Sequence, residues 1–348
     1  MEKLKDITVL ITAAGNMFMP GTSKCLKNNG ERNIRLIGAD MSDDPTMLQM
    51  FDAYYPVPRG DDPAYIDTVF DICIKEMVDI VLPIMSVELE AFAENKKKFE
   101  EAGVKVSVSD LPALKIANNK LELLSYMKQR GIPCAEFSSA NTVEEVKNAA
   151  LSMGYPKVPV CVKATQGSGS RGFRILDASK SKFDMLFHQK PTSCYISLEE
   201  LLEILAEGKE LPELMVMEYL PGAEYTVDLL ADRGKVLYNC CRKSSAMENS
   251  IMIDGVIESK ESVLAICEKV VKELKLDGNI GFDMRERADG TPIIMECNPR
   301  ITAGIPFFFA AGINLPYLCV KKMLGEKLPK LSIKEDMKMK RRYLEMYY

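Results

Sequence analysis

The chain has 348 residues, enough for two or three packed domains with a sizeable core. Its composition is that of an ordinary globular protein, and a net charge of −5 argues against general binding to nucleic acid or membrane surfaces. The N-terminus lacks the apolar core of a signal peptide, and no apolar run approaches membrane-spanning length. The ten cysteines include no Cys-x-x-Cys pair, so we expect no zinc site, no disulfide framework and a cytoplasmic location.

The first third of the chain alternates short apolar runs with helical patterns. Strands are predicted at residues 7–14, 34–39, 79–84 and 104–108, and helices at residues 24–29, 63–77 and 87–102. Such alternation predicts a parallel sheet flanked by helices. We therefore expect an α/β, Rossmann-like domain over residues 1–110.

The ends of these strands predict a ligand cleft, because ligands of such sheets bind at the carboxyl ends of the strands. The order strand, glycine turn, helix, strand and acid is typical of a dinucleotide-binding unit, but only one fingerprint glycine is present. A bound nicotinamide cofactor is therefore the weaker alternative, and a substrate cleft is the better one. The residues expected to face this cleft are Gly15, Asn16, Asp40, Ser86 and Glu88.

The second region, residues 111–213, contains a lysine at each of two element ends. Ser109 and Asp110 are predicted to cap its first helix, and Lys120 lies between two short helical stretches. Residues 158–163 read as a strand that ends on Lys163, and Pro159 within it predicts an edge position. Residues 177–212 are polar and are expected to form an insertion on this region.

A loop that follows the strand at 158–163 matches Gly-x-Gly-x-x-Gly over residues 167–172. Because residues 173–176 read as a strand rather than a helix, the loop predicts a hairpin tip and not a dinucleotide-binding turn. A Walker A loop and a protein kinase are excluded, since the required lysine and Asp-Phe-Gly motif are absent. Backbone N–H groups of such a flap can donate hydrogen bonds to phosphate oxygens. The alternative is a flexible hairpin tip that binds no ligand. The predicted phosphate-binding residues of the flap are Gly167, Ser168, Gly169 and Ser170.

A third region, residues 214–348, begins with a strand at 214–219 that leads into Leu220-Pro221-Gly222. Glu218 is a candidate hydrogen-bond acceptor for an adenine amino group. The backbone around Tyr219 and Leu220 is expected to form hydrogen bonds with the edge of the adenine ring. Glu224 is a candidate acceptor for ribose hydroxyls. Each acid could equally be a surface residue.

Two further hairpins follow in this region, separated by a predicted helix at residues 261–274. The first hairpin, over residues 224–231 and 236–243, ends near Arg242, which is expected to reach phosphate or the acceptor substrate. The second, over residues 279–287 and 291–297, turns at Ala288-Asp289-Gly290.

The second hairpin predicts a metal site. It brings Asp283 on one strand near Glu296 and Asn298, which alternation places on one face of the other strand. Carboxylate and amide oxygens are the ligands that Mg²⁺ prefers. Arg300 follows Pro299 as a fixed cation suited to a phosphoryl or carboxylate oxygen. The alternative is a solvated hairpin with incidental charges.

In this order along the chain, these motifs resemble the ATP-grasp superfamily, and within it the carbamoyl-phosphate-synthase-like ligases. The resemblance extends over nearly the whole chain and implies a Rossmann-like domain followed by a two-lobed ATP-grasp fold. It implies that Lys120 and Lys163 bind nucleotide phosphates and that Arg300 contacts the transferred phosphoryl group. It also implies an adenine hinge at Glu218 to Leu220, a ribose contact at Glu224, and Mg²⁺ ligands Asp283, Glu296 and Asn298. Relatives often carry glutamine where Asp283 stands, and a histidine that some use near the ribose is missing.

The resemblance implies a ligase that joins a carboxylate to an amine or a thiol. ATP would phosphorylate the carboxylate, and the resulting acyl phosphate would be attacked by the amine, releasing ADP and phosphate. Expected cofactors are ATP and Mg²⁺ or Mn²⁺, as two ions, and expected partners are small molecules, with a homodimer as one option. The alternatives are a small-molecule kinase on the same fold and a nucleotide-binding protein without turnover.

Overall fold

The computed structural model of the protein describes residues 4–165, 172–188, 193–248, 251–342 and 347. The chain forms two units. The first unit comprises Met1–Asn118, Glu224–Met284 and Glu296–Tyr348, and the second unit comprises Asn119–Ala223 and Arg285–Met295. The division at residues 110 and 213 into three domains stays a prediction.

Helices and strands alternate through most of the described residues. The helices are α1 (Met19–Lys27), α2 (Tyr65–Lys75), α3 (Leu89–Glu101), α4 (Leu111–Ala117), α5 (Lys120–Gln129), α6 (Val143–Ser152), α7 (Lys182–His188), α8 (Leu198–Ala206), α9 (Glu261–Leu274), α10 (Ile305–Ala310) and α11 (Leu315–Met323). The strands are β1 (Ile7–Thr12), β2 (Ile34–Asp40), β3 (Ala53–Pro56), β4 (Ile80–Leu82), β5 (Lys105–Val106), β6 (Phe137–Ala140), β7 (Val160–Ala164), β8 (Arg174–Leu176), β9 (Tyr195–Ile196), β10 (Leu214–Glu218), β11 (Glu224–Asp232), β12 (Lys235–Glu248), β13 (Ile251–Ile257), β14 (Gly278–Glu286), β15 (Pro292–Asn298) and β16 (Lys338–Lys340).

The N-terminal part of the first unit is the predicted parallel sheet, with strand order β3-β2-β1-β4-β5. Its central strand β1 is buried on both faces, which explains why the strand is mostly apolar and does not alternate with polar residues. Val9 and Ile11 belong to one buried cluster and Leu10 to another, because successive side chains of a strand point to opposite faces. This arrangement confirms the expected α/β class.

A six-stranded sheet forms the second part of the fold, with order β15-β14-β11-β12-β13-β16. The pairs β11–β12, β12–β13 and β13–β16 are antiparallel. The chain leaves the first unit inside β14, after Met284, and returns inside β15, before Glu296. The short edge strand β16 pairs Met339 with Gly255, so the C-terminal segment is held against β13.

The second unit is built on a sheet with order β6-β10-β7-β8-β9. Val160 and Val162 of β7 lie in a buried cluster with residues of α6 and α8. Alternation therefore directs Lys163 to the opposite face of the strand from Val162. Ser197 caps α8, accepting a hydrogen bond from the backbone N–H of Glu200 at 3.2 Å.

Several local predictions are corrected by the structure. The predicted edge position of the strand at 158–163 is wrong, since β7 pairs with both β10 and β8. Pairing begins at Val160, so Pro159 precedes the strand and removes no hydrogen bond from it. The predicted cap before α4 is also wrong: Asp110 makes no capping hydrogen bond, and the Ser109 hydroxyl instead donates to the backbone oxygen of Asp277 at 3.0 Å.

Candidate active site

The hairpin β14–β15 forms as the sequence predicts. Its turn is closed by the N–H of Arg287, which donates to the oxygen of Thr291 at 2.9 Å. Gly290 has a φ of +83°, in the left-handed region that glycine adopts without strain. This turn sets the register that brings the functional side chains of the two strands together.

Asp283 and Asn298 lie in direct contact, with the Asn298 amide donating to Asp283 Oδ2 at 3.1 Å. The Thr226 hydroxyl of β11 donates to the other carboxylate oxygen, Oδ1, at 3.2 Å. Desolvation and the nearby Glu296 carboxylate raise the pKa of Asp283 to about 6. The protein therefore holds two acids whose negative charges oppose each other at this position.

Arg300 lies beside this pair of acids. Its guanidinium donates to Asn298 Oδ1 at 2.8 Å and to the backbone oxygen of Ile301 at 3.0 Å. Its Nε donates to Ser86 Oγ at 3.3 Å. Burial lowers the pKa of Arg300, and the carboxylates of Glu296 and Asp283 act in the opposite direction. The guanidinium is thus fixed on several sides close to the candidate metal ligands.

Arg242 belongs to a buried cluster in the same unit. Its Nη1 donates to Asp228 Oδ2 at 2.9 Å, and both side chains are almost fully buried. The other oxygen of Asp228 accepts from the Thr302 hydroxyl at 2.6 Å. Burial raises the pKa of Asp228, while Arg242 acts to lower it. The fold itself therefore holds Arg242 in place through its ion pair with Asp228.

Sequence reasoning missed Thr226, Asp228 and Thr302. A signal for the first two was present, because Thr226 and Asp228 are polar residues two apart in an otherwise apolar run. Residues two apart lie on one face of a strand. The adjacent strand, β14, carries Asp283, but the pairing of β11 with β14 is a long-range feature that the local pattern does not indicate.

The predicted cleft residues of the parallel sheet have different surroundings. The N–H of Gly15 donates to Asp40 Oδ2 at 2.9 Å, whereas Ser86 contacts Arg300 as described above. The expectation that Glu88 faces a cleft is wrong, since this side chain is 2% exposed. It accepts from the Thr12 hydroxyl at 2.6 Å and from two backbone N–H groups at 2.8 Å. Glu88 thus ties β1 to the segment that follows β4.

The second unit contains both predicted phosphate-binding lysines. Lys120 begins α5, and Lys163 ends near the backbone oxygen of Met295, with its Nζ donating at 3.3 Å. Lys163 is 7% exposed, so its ammonium is held within the unit. The flap residues Gly167, Ser168, Gly169 and Ser170 lie outside the described residues.

The predicted adenine hinge lies on β10 and the residues after it. The Glu218 carboxylate accepts from Arg287 at 2.6 Å and from the backbone N–H of Glu136 at 3.1 Å. The backbone oxygen of Leu220 accepts from Arg285 at 3.3 Å. Desolvation and a hydrogen bond with Tyr219 raise the pKa of Tyr195 to about 12. Glu224, the predicted ribose contact, is the first residue of β11 in the first unit. The nucleotide roles of these residues stay predictions.

The donor set on β14 and β15 fits a hard cation. Asp283 and Glu296 supply carboxylate oxygens, and Asn298 supplies an amide oxygen that here accepts from Arg300 while its N–H donates to Asp283. Desolvation and then repulsion from Glu296 raise the pKa of Asp283, and a divalent cation would offset that repulsion. Within the described ranges, no three His, Cys, Asp or Glu side chains cluster as metal ligands, so two acids and an amide form this candidate set.

Family models match two parts of the chain. One, described as PylC-like, N-terminal domain, matches residues 9–107. The other, described as ATP-grasp in the biosynthetic pathway with Ter operon, matches residues 210–344. Among the described residues, no helix is both long enough and apolar enough to cross a membrane.

Several curated relatives are carbamoyl phosphate synthase large chains. The chain is 24% identical to that of Archaeoglobus fulgidus over 257 residues, which is 70% of this chain and 22% of the relative. It is 25% identical to the C-terminal section from Methanocaldococcus jannaschii over 248 residues, 67% of this chain and 36% of that section. The chain therefore spans well under half the length of these relatives.

Solved structures share the fold over most of the chain. An ADP complex of N5-carboxyaminoimidazole ribonucleotide synthetase aligns with a TM-score of 0.68 at 17% identity, covering 96% of this chain and 81% of that one. The MgADP-bound biotin carboxylase domain of Hydrogenobacter thermophilus 2-oxoglutarate carboxylase aligns with a TM-score of 0.67 at 18% identity. The alignment covers 96% of this chain and 73% of that one. An L-amino acid ligase from Bacillus licheniformis aligns with a TM-score of 0.65 at 17% identity, covering 93% of this chain and 75% of that one.

These matches identify an ATP-grasp domain at residues 210–344, in a chain whose fold over most of its length is that of the solved structures above. More narrowly, the chain is similar to the carbamoyl phosphate synthase large chains and has a PylC-like N-terminal domain at residues 9–107. The resemblance stated from the sequence is thereby confirmed.

Proposed function

We propose that the protein is an ATP- and Mg²⁺-dependent ligase that joins a carboxylate to an amine or a thiol. The observation that carries this proposal is the cluster of Asp283, Glu296, Asn298 and Arg300 on one hairpin. Two opposed acids beside a fixed guanidinium suit a metal-bound triphosphate. The ligase and carboxylase names of the structural neighbours support the same reaction class.

The chain's own residues perform positioning and charge neutralisation. A carboxylate cannot acylate an amine at a useful rate because its oxygen is a poor leaving group, so it is first phosphorylated by ATP. Asp283, Glu296 and Asn298 would hold Mg²⁺, two ions in this proposal, which would supply positive charge to neutralise the phosphates. Arg300 holds the transferred phosphoryl group, with the 301–304 backbone beside the acceptor carboxylate. Arg242 contributes a further positive charge, either to the phosphoryl group or to the acceptor substrate.

The second unit supplies the proposed nucleotide contacts. Lys120 and Lys163 neutralise phosphate charge, and residues 167–170 cover the phosphates and exclude water from the acyl phosphate. Glu218 to Leu220 read the adenine edge. The ADP complexes among the structural neighbours support adenine nucleotide binding. ATP is then expected to bind far better than GTP by calorimetry, since a mismatched base leaves buried polar groups unpaired.

The proposed setting is cytoplasmic, with small-molecule substrates. A homodimer is the proposed assembly, supported by the biotin carboxylase domain dimer among the structural neighbours. Light scattering of the purified protein measures its mass directly, and a monomer at working concentration would contradict the dimer without affecting the proposed reaction.

The test is a search for the acyl phosphate. Amino acids and small metabolites are screened for stimulated ADP release with Mg²⁺-ATP, and active compounds are then incubated with hydroxylamine. A hydroxamate is the expected product. With carboxylate and amine both present, phosphorus NMR should show ADP and free phosphate, one of each per amide formed.

Two other outcomes would contradict the ligase. A stable phosphorylated product without free phosphate indicates a kinase, the alternative that the sequence leaves open. AMP with pyrophosphate would reject both reactions. An Asp283→Asn variant measured in parallel shows whether any product depends on the proposed metal site.

A further inference from the structure

Arg242 is packed against Gly304. A Cβ atom added to Gly304 would lie 1.8 Å from Arg242 Nη1 and 2.0 Å from its Cζ. Only glycine therefore allows the guanidinium to occupy this position. The ring of Phe308 lies on another side of Arg242, with its centroid 5.3 Å from Cζ. The fold thus fixes a cation directly beside the segment that follows Arg300.

A second arginine reaches the same segment from the C-terminal part of the chain. Arg341 follows β16, and its Nη2 donates to the backbone oxygen of Ala303 while its Nε donates to that of Met252 at 3.0 Å. Because Ala303 precedes Gly304, Arg341 and Arg242 contact neighbouring residues of one loop. Burial and the charge of Arg242 lower the pKa of Arg341.

Among the described residues, Asp228 is the one carboxylate in ion-pair contact with either guanidinium, although the charge of Arg242 also acts on Asp283. Asp228 pairs with Arg242, whereas Arg341 forms hydrogen bonds to backbone oxygens and no ion pair within residues 251–342 or the other described ranges. Arg242 is 5% exposed, yet its Nε has no hydrogen-bond partner in the described part of the chain. That Nε is enclosed by protein and is not itself open to a ligand. Two guanidiniums held at one loop repel each other, however, and an oxyanion bound beside Arg341 would offset that repulsion.

We propose that Arg242 and Arg341 form a subsite for a second oxyanion on the acceptor substrate. The substrate is then a carboxylic acid that carries a further carboxylate or phosphate group. One oxyanion is phosphorylated beside Arg300, and the other is held by the arginine pair. This inference rests on the proposed function, deepens it by naming the class of acid, and makes Arg341 a residue that determines specificity.

The first experiment compares acids that carry a second oxyanion, called dianions here for their two anionic groups, with analogues in which that second group is neutral. Calorimetry with Mg²⁺-ADP present measures binding of L-glutamate against L-glutamine, L-aspartate against L-asparagine, succinate against succinamate, and O-phosphoserine against serine. At least one dianion should bind about tenfold or more tightly than its less charged partner. A dicarboxylate or the phosphate ester as the preferred member identifies the source of the second oxyanion. If no dianion has this advantage, the proposal is overturned.

The second experiment tests whether Arg341 provides the preference. Arg341→Gln should reduce the affinity ratio of dianion to partner about tenfold, while Arg341→Lys should retain part of it. Arg342→Gln is the matched control, because Arg342 is exposed and its guanidinium donates to the backbone oxygen of Arg341. The ratio is measured within each variant, so partial unfolding lowers both affinities and leaves it unchanged. An unchanged ratio in folded Arg341→Gln overturns the proposal.

The subsite and the ligase reaction can fail separately. Hydroxamate formation and ADP release measure the reaction, whereas calorimetry measures the anion alone. Dianion preference that depends on Arg341 without any turnover would contradict the ligase and support the subsite. Turnover with equal KM for a dianion and its partner would support the ligase and contradict the subsite. With both correct, Arg341→Gln should raise KM for the dianion far more than it lowers kcat.

Discussion

Glu88 and Asp283 are two acids of the first unit whose pKa values are both raised by burial, yet their neighbours differ. Glu88 is enclosed by donors: the hydroxyls of Thr12 and Tyr65 and the N–H groups of Ile84 and Met85. Asp283 faces a second carboxylate, and the structure gives it two side-chain donors. An acid supplied with donors by its own fold has a structural role, whereas an acid placed against another acid suits a cation.

The largest expected effect is on stability, at Glu88. Glu88→Ala leaves several buried donors without an acceptor, and we expect a loss of about 3 kcal/mol or more in the free energy of unfolding. Urea denaturation measures it. Glu203→Ala, on the exposed side of α8, is the control and should have little effect. A loss below about 1 kcal/mol in Glu88→Ala would contradict the structural role assigned to Glu88.

The next effect is on catalysis, at Asp283 and Glu296. Asp283→Asn or Glu296→Gln should lower kcat of Mg²⁺-dependent ATP turnover by two decades or more, about 2.7 kcal/mol of barrier. Unfolding stability without metal should be retained, because the substitution removes a like-charge repulsion. The control is Asp289→Asn in the exposed turn of the same hairpin, which should turn over normally. Near-normal turnover in both site variants would contradict a catalytic metal site at this hairpin.

Asp228 is an intermediate case, fully buried but paired with Arg242, and Gly304 tests how firmly that pair is held. Gly304 has a φ of −90°, which any residue adopts, so the effect of Gly304→Ala is steric. The methyl group must displace the Arg242 guanidinium, and we expect about 2 kcal/mol of destabilisation with reduced turnover. In Gly208→Ala the new Cβ makes only ordinary contacts, from 3.5 Å outward, so this control should be neutral. Equal stability and turnover in both variants would contradict the packing described for Arg242.

The smallest effect is a pH dependence at Glu88. A carboxyl whose pKa is raised in the folded protein binds more protons there than in the unfolded chain. Its contribution to stability is therefore greatest below the unfolded pKa, about 4.3, and is lost as the pH rises through the folded pKa. Denaturation at several pH values should show wild type losing stability relative to Glu88→Gln as the pH rises. The opposite trend would mean that the four donors outweigh burial and lower the pKa.

Much of the fold could be predicted because it follows from local patterns. Helix α9 begins and ends where the sequence predicts, and the turn residues around Gly290 predict the β14–β15 hairpin. The strands β3 and β13 were missed. Strand β3 has only four residues and no buried side chain, so it lacks the apolar pattern that identifies a strand.

The candidate site was predictable only where its residues lie close together in sequence. Asp283, Glu296, Asn298 and Arg300 occupy one hairpin and its exit, so local geometry unites them. The contact of Thr226 with Asp283, and that of Arg341 with Ala303, depend on strand pairing between distant segments. The role of Glu88 was misjudged because its exposure depends on how the segment after β4 folds back over Thr12.

Binding of Mn²⁺ is the most direct test of the difference between the two acids. Water-proton relaxation with ADP present is measured for wild type, Asp283→Asn, Glu296→Gln and Glu88→Gln. The predicted result is enhancement for wild type and Glu88→Gln, and loss of enhancement for the Asp283 and Glu296 variants. Full enhancement in folded Asp283→Asn and Glu296→Gln would contradict the assignment of the metal site to this hairpin.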